Sequence, residues 1–178
     1  MTKIAIETDV TTYTPPIAQR ALDRLSDLAI YTAAASLLGL VVVQGWQVFT
    51  RYVLNDSPSW TEPVTLLLLS TAMSLGAAAG VHGNRHFGFF LLAERFPEAG
   101  RRALEVLRSG VMAAIGVVIA WWAARLLLDG LDIKIAGASM PQSINYLPLS
   151  LGGVLMCVFA LYRAWRALRP LSVIEGER

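Results

Sequence analysis

The residues best suited to chemistry in this sequence are His82 and His86 of HGNRH, with Arg85 beside the second. Histidines four apart share one helix face, the spacing by which zinc proteases hold their metal. Those enzymes need a glutamate general base directly after the first histidine, and Gly83 stands there instead. One helix face also cannot clasp a haem iron from both sides, and the chain has no further histidine. The lone cysteine, Cys157, excludes an internal disulfide and supports no thiolate metal framework. These side chains read as interfacial or packing groups, so no metal, cofactor or enzymatic activity is expected.

Carboxylates are the next candidates, because acids held deep within a span mark an ion or proton path through a bilayer. Asp56, Glu62, Asp129 and Asp132 instead lie at the ends of apolar runs or between them. The stretch RYVLNDSPSWTEP, from Arg51 to Pro63, places an arginine, two acids and a tryptophan between two such runs. NDSP is turn-forming, and Ser59 with Glu62 three residues on matches a capping box at a helix start. Trp60 suits a membrane interface, and Arg51 is in sequence reach of Asp56 or Glu62 for an ion pair. Gln44, the main deeper polar residue, is expected to hydrogen-bond between helices.

The elements that position these residues follow from composition. Of the 178 residues 55% are hydrophobic and only 16% charged, and the mean hydropathy is +0.53, outside the range of a soluble domain. Four apolar stretches are readable, over about 28–50, 63–84, 106–128 and 146–165, each long enough for a hydrocarbon core about 30 Å thick. The expected fold is an all-α integral membrane protein with four transmembrane helices: a mobile polar tail at 1–20, a membrane domain at 21–169 and a C-terminal tail at 170–178. Between the second and third spans FGFFLLAERFPEAGRR mixes large apolar residues with charges, as an amphipathic segment lying along the interface would. Gly76 and Gly80 form a GxxxG step and are the candidate helix-packing residues, since glycine lets backbones approach closely.

Twelve of the fifteen Lys and Arg fall in the N-terminal tail, the loop between spans two and three, and the C-terminal tail. The positive-inside rule then places both termini in the cytoplasm, so Arg51, Trp60 and Glu62 lie outside while Arg85 and His86 close the second span inside. From the residues alone three readings stay open: a transporter component, a four-helix anchor or redox subunit of a membrane enzyme, and a self-contained small exporter.

The order Arg51-Tyr52-Val53, Trp60-Thr61-Glu62, Gly76, Asn84-Arg85-His86 and Tyr146-Leu147-Pro148-Leu149 resembles the small membrane (Q) subunit of TRAP, or tripartite ATP-independent periplasmic, transporters. The similarity covers roughly residues 21 to 168. Such families commonly show a second acid directly after the Trp-x-Glu glutamate, where this sequence has Pro63, so Glu62 alone is carried over. The resemblance implies a bacterial inner-membrane component of organic-acid uptake. Its partners would be a large ion-coupled membrane subunit, a transiently docked periplasmic solute-binding protein and membrane lipids, with no nucleic acid. In that setting Arg51, Trp60 and Glu62 become candidates for a partner interface or an outer-face structure, and Arg85 and His86 for an inner-face structure.

The charge partition makes a prediction of its own. Impermeant labelling or fusion reporters place position 56 outside and position 100 inside; the reverse pattern overturns the orientation.

Overall fold

The computed structural model describes residues 16–56, 58–83, 97–134 and 141–168. Within them lie four long helices: α1 (Ile17–Val53), α2 (Thr61–His82), α3 (Glu98–Asp129) and α4 (Leu147–Leu168), the last entered through a 3-10 helix at Gln142–Tyr146. All four are long and apolar enough to cross a membrane. Helix is the form such runs must take, because lipid offers no partner to an unpaired backbone amide or carbonyl. The 37 residues of α1, at about 1.5 Å each, reach about 55 Å against a core about 30 Å thick. Its first turns, with Arg20, Asp23, Arg24 and Asp27, therefore lie at or beyond the bilayer surface.

In space the helices follow the order α1, α2, α4, α3. The seams between them obey a heptad spacing. On α1, Ser26, Ala29, Ala33, Ser36 and Thr50 are buried and Leu40, Val43 and Gln47 half-buried, in alternating steps of three and four. Ser109, Ala113, Gly116, Ala120, Ala123, Leu127 and Gly130 make the matching stripe at α3. That spacing belongs to left-handed, coiled-coil-like packing. The seam residues are small because helices in lipid are held by close van der Waals approach and not by expulsion of water. Seam hydroxyls bond back into their own helix, Ser36 to the Thr32 carbonyl at 2.8 Å and Thr50 to the Trp46 carbonyl at 3.1 Å.

The closest approaches centre on α4. A methyl group at Gly152 would fall 2.6 Å from Ser74 Cβ of α2, and one at Gly153 would fall 2.7 Å from the Ala120 nitrogen of α3. Neighbouring positions on a helix point about 100° apart, so this glycine pair lets one helix touch two neighbours at once. Gly116 completes the contact from the α3 side, 2.9 Å from the Cys157 nitrogen by the same measure. Gly76 of the GxxxG step makes no such approach: it is exposed, and a methyl there would meet only Ala33 Cβ at an ordinary 4.0 Å. The close contact expected at Gly76 is therefore not made among the described residues.

The α1–α2 connection turns at Asn55, whose φ of 52° is the left-handed conformation that asparagine tolerates better than most residues. The turn returns the Asp56 amide to the Thr50 carbonyl at 3.1 Å. The expected capping box is shifted: α2 begins at Thr61 with Trp60 at the N-cap, making no side-chain cap bond, and Glu62 stands in the first turn. The reason is local, because Thr61 Oγ1 donates to the Pro58 carbonyl at 2.8 Å and closes the entry turn itself. The amphipathic segment expected between spans two and three lies outside the described residues.

Glycine substitutions separate the tight seams from the open surface. Gly153→Ala lowers stability by about 1–3 kcal/mol through overpacking. Gly45→Ala, where a methyl meets nothing within 4 Å, is neutral or stabilising by up to about 1 kcal/mol, the helix-propensity difference. Thermal melts of the two purified variants check this, and equal effects would contradict the α3–α4 contact.

Candidate functional site

Arg51, Trp60 and Glu62 gather at one end of the bundle, the loop end, across the short α1–α2 connection. Arg51 lies in the last turn of α1, where a cation complements the helix dipole, and Glu62 in the first turn of α2, where an anion does. All three side chains are exposed, Trp60 at 45%. Among the described residues neither Asp56 nor Glu62 pairs with Arg51, so the expected ion pair is not formed. Among the described residues the three exposed side chains form no ion pair with one another.

Beneath them the bundle is closed by hydroxyls reaching between helices. Ser70 Oγ donates to the Asn145 carbonyl at 3.2 Å and Ser74 Oγ to the Pro148 carbonyl at 2.9 Å. Pro148, with no amide of its own, sits comfortably in the first turn of α4, and its carbonyl also accepts the Ser74 hydroxyl of α2. The 3-10 helix is held from the other side by Gly130, where a methyl would fall 3.2 Å from the Ser143 nitrogen.

The opposite end, where α1 starts and α4 finishes, carries a polar cluster drawn from all four helices. His82 Nε2 donates to Asp23 Oδ1 at 2.7 Å, tying the end of α2 to the start of α1. The His82 ring also packs on Phe159, 4.8 Å between centroids, over the fully buried centre of the core. Arg163 of α4 donates through one amino group to the Val81 carbonyl at 3.0 Å and through the other to Glu105 Oε1 of α3 at 3.2 Å. The Val81 carbonyl lies in the last turn of α2, where backbone acceptors collect partial negative charge, and a guanidinium is a strong partner for it. Arg166 reaches Gln19 at 3.2 Å. These side chains border a cavity of about 580 Å³.

The sequence reading placed His82 as an interfacial or packing histidine, and that is its position here. It did not anticipate Asp23, Glu105 and Arg163 as a set. Their separations of 58 and 59 residues carry no local pattern; the usable signal was that each lies within one or two turns of a span end on the same side. Arg85 and His86 lie outside the described residues.

Comparison with known proteins bears on what this arrangement serves. Residues 40–170 match the family described as "Tripartite ATP-independent periplasmic transporters, DctQ component". The chain is also 23% identical over 160 residues to the sialic acid TRAP transporter small permease protein SiaQ of Vibrio cholerae, an alignment covering 89% of this chain and 90% of that protein.

The two roles of Arg163 are separable. Its side chain is 14% exposed, whereas that of Glu105 is 43% exposed and shares its charge with solvent. Arg163→Met should destabilise by about 1–2 kcal/mol, mostly through the unmet Val81 carbonyl. A double-mutant cycle with Glu105→Gln should then give a coupling below about 1 kcal/mol. A coupling that accounts for the whole loss would show the ion pair, and not the helix-end bond, to be what α4 contributes.

Proposed function

Because the chain belongs to the DctQ component family of tripartite ATP-independent periplasmic transporters, we propose that it acts there as a static scaffold, bracing a large ion-coupled membrane subunit. The observation that supports this reading is how the polar groups of the spans are used. Thr32, Ser36, Thr50 and Thr71 bond to carbonyls of their own helices, and Ser70 and Ser74 bond to the neighbouring chain segment. An anionic solute needs several convergent donors and a coupling ion needs oxygen ligands near the midplane. Among the described residues only Thr65 Oγ1 and Asn145 Oδ1 are buried side-chain atoms without a partner, and both lie toward the loop end, away from the midplane.

The partners follow from the tripartite system: a large membrane subunit carries the solute and a periplasmic binding protein delivers it. The relative from Vibrio cholerae is a sialic acid transporter component, and an organic acid is the solute class proposed here. The chain sits in the bacterial inner membrane with both termini cytoplasmic, an orientation that rests on the partition of basic residues. The structure supports the pairing of the ends, since Gln19 of α1 and Arg166 of α4 meet. In this orientation Arg51, Trp60 and Glu62 form an outward surface for the large subunit or the binding protein, and Arg85 and His86 belong to the inner face.

Two measurements test the proposal. Trp60→Ala should lower uptake about tenfold, equivalent to about 1.4 kcal/mol of lost interaction, while the amount of chain in the membrane changes much less; equal losses would reduce Trp60 to an anchor. Reconstituted uptake should vanish without this chain and return with unchanged solute preference when a related small subunit that still assembles replaces it. A preference that follows the small subunit would place this chain in the solute path and end the scaffold reading.

A further inference from the structure

The cavity among the four helix ends holds more hydrogen-bonding capacity than the contacts around it use. Asp23 is bonded through Oδ1 and Glu105 through Oε1, which leaves the second carboxylate oxygen of each, and the two side chains remain 46% and 43% exposed. Arg166 binds Gln19 through one amino group and has further N–H donors to give. Tyr162 adds a hydroxyl to the same lining. Acceptors and donors of opposite charge thus border one space of about 580 Å³, within the range of small-ligand pockets.

The balance of charge selects the ligand class. Two carboxylates and two guanidiniums line the cavity, so a free anion meets the repulsion of Asp23 and Glu105, and a free cation that of Arg163 and Arg166. A molecule carrying both signs a few ångströms apart satisfies both pairs. The spare oxygens of Asp23 and Glu105 need N–H donors, which a primary ammonium supplies and a quaternary one does not. The cavity also opens where α2 ends and within the last two turns of α4, at the limit of the apolar spans.

We propose that this cavity binds the phosphoethanolamine headgroup of a membrane lipid, with the phosphate on Arg166 and Tyr162 and the ammonium between Asp23 and Glu105. The inference is independent of the transport role. A lipid held there bridges α1, α3 and α4.

Native mass spectrometry of the full-length chain in detergent tests it, with phosphatidylethanolamine, phosphatidylcholine and phosphatidylglycerol of identical acyl chains offered in equal amounts. Phosphatidylethanolamine should be retained at least about tenfold over the other two, a difference of about 1.4 kcal/mol. Arg166→Gln, at an exposed position, should remove most of that preference, and Tyr162→Phe should weaken it with the fold intact. Equal retention of the three lipids, or a preference untouched by both variants, overturns the proposal. In a further arm free phosphoethanolamine is added at millimolar concentration. It should fail to displace the lipid; displacement would assign the cavity to a soluble zwitterion and overturn the lipid assignment.

Discussion

The architecture depends on one steric constraint: α4 must lie against α2 and α3 simultaneously at backbone distance. Lipid is as apolar as leucine, so hydrophobic burial cannot hold transmembrane helices together as it does in water, and close packing with a few interhelical hydrogen bonds must do so. Gly152 and Gly153 meet that requirement by removing the side chain on both contact lines of α4. The approach then brings Ser74 within reach of the Pro148 carbonyl and lets Phe159 fill the core completely. The outer surface of α4 carries Leu147, Leu151, Val154, Val158, Leu161, Trp165 and Leu168 in heptad steps, the large residues that the seams cannot accept.

Polar groups finish what the glycines begin, differently at each end. At the loop end serines donate to the carbonyls of Asn145 and Pro148, bonds that are directional but individually modest, near 0.6 kcal/mol in comparable membrane helices. At the terminal end side-chain bonds reinforce the packed pairs, and the Gln19–Arg166 bond adds a link between α1 and α4, which touch little elsewhere. α1 packs along α2, yet Gln19 also reaches α4 and Leu22 packs against the core. One end is therefore fastened through neighbouring helices and the other through a cluster shared by all four. At the loop end the side chains of Arg51, Trp60 and Glu62 are exposed.

Much of this was legible in the sequence, for identifiable reasons. The four spans could be read because lipid imposes an apolar run of known length, and the turn at Asn55 because few residues besides glycine accept its backbone conformation. At α1 and α3 the helix runs on past the spans read at 28–50 and 106–128, through charged turns that hydropathy does not count as membrane. Gly76 belongs to a packing motif yet makes no tight contact among the described residues, since GxxxG states that a backbone is accessible and not which helix approaches it. Gly152 beside Gly153 was visible as a pair of small residues, but its two-sided role depends on α4 standing between α2 and α3. The cluster of Asp23, His82, Glu105 and Arg163 was hidden for the same reason: charge counting assigns a side of the membrane, and pairing requires the three-dimensional order of helices.

A subunit whose central helix is locked on two sides should not deform while its transporter works. The direct measurement is the distance between spin labels at the exposed positions 66 on α2 and 151 on α4, recorded by pulsed dipolar spectroscopy in the assembled transporter. The conditions compared are absence of solute, presence of solute with its binding protein, and presence of the coupling ion. A static scaffold predicts a single narrow distance distribution, identical in all conditions. A distribution that splits or shifts with solute or ion would mean that this chain moves with the transport cycle, and would contradict its role as the fixed part of the system.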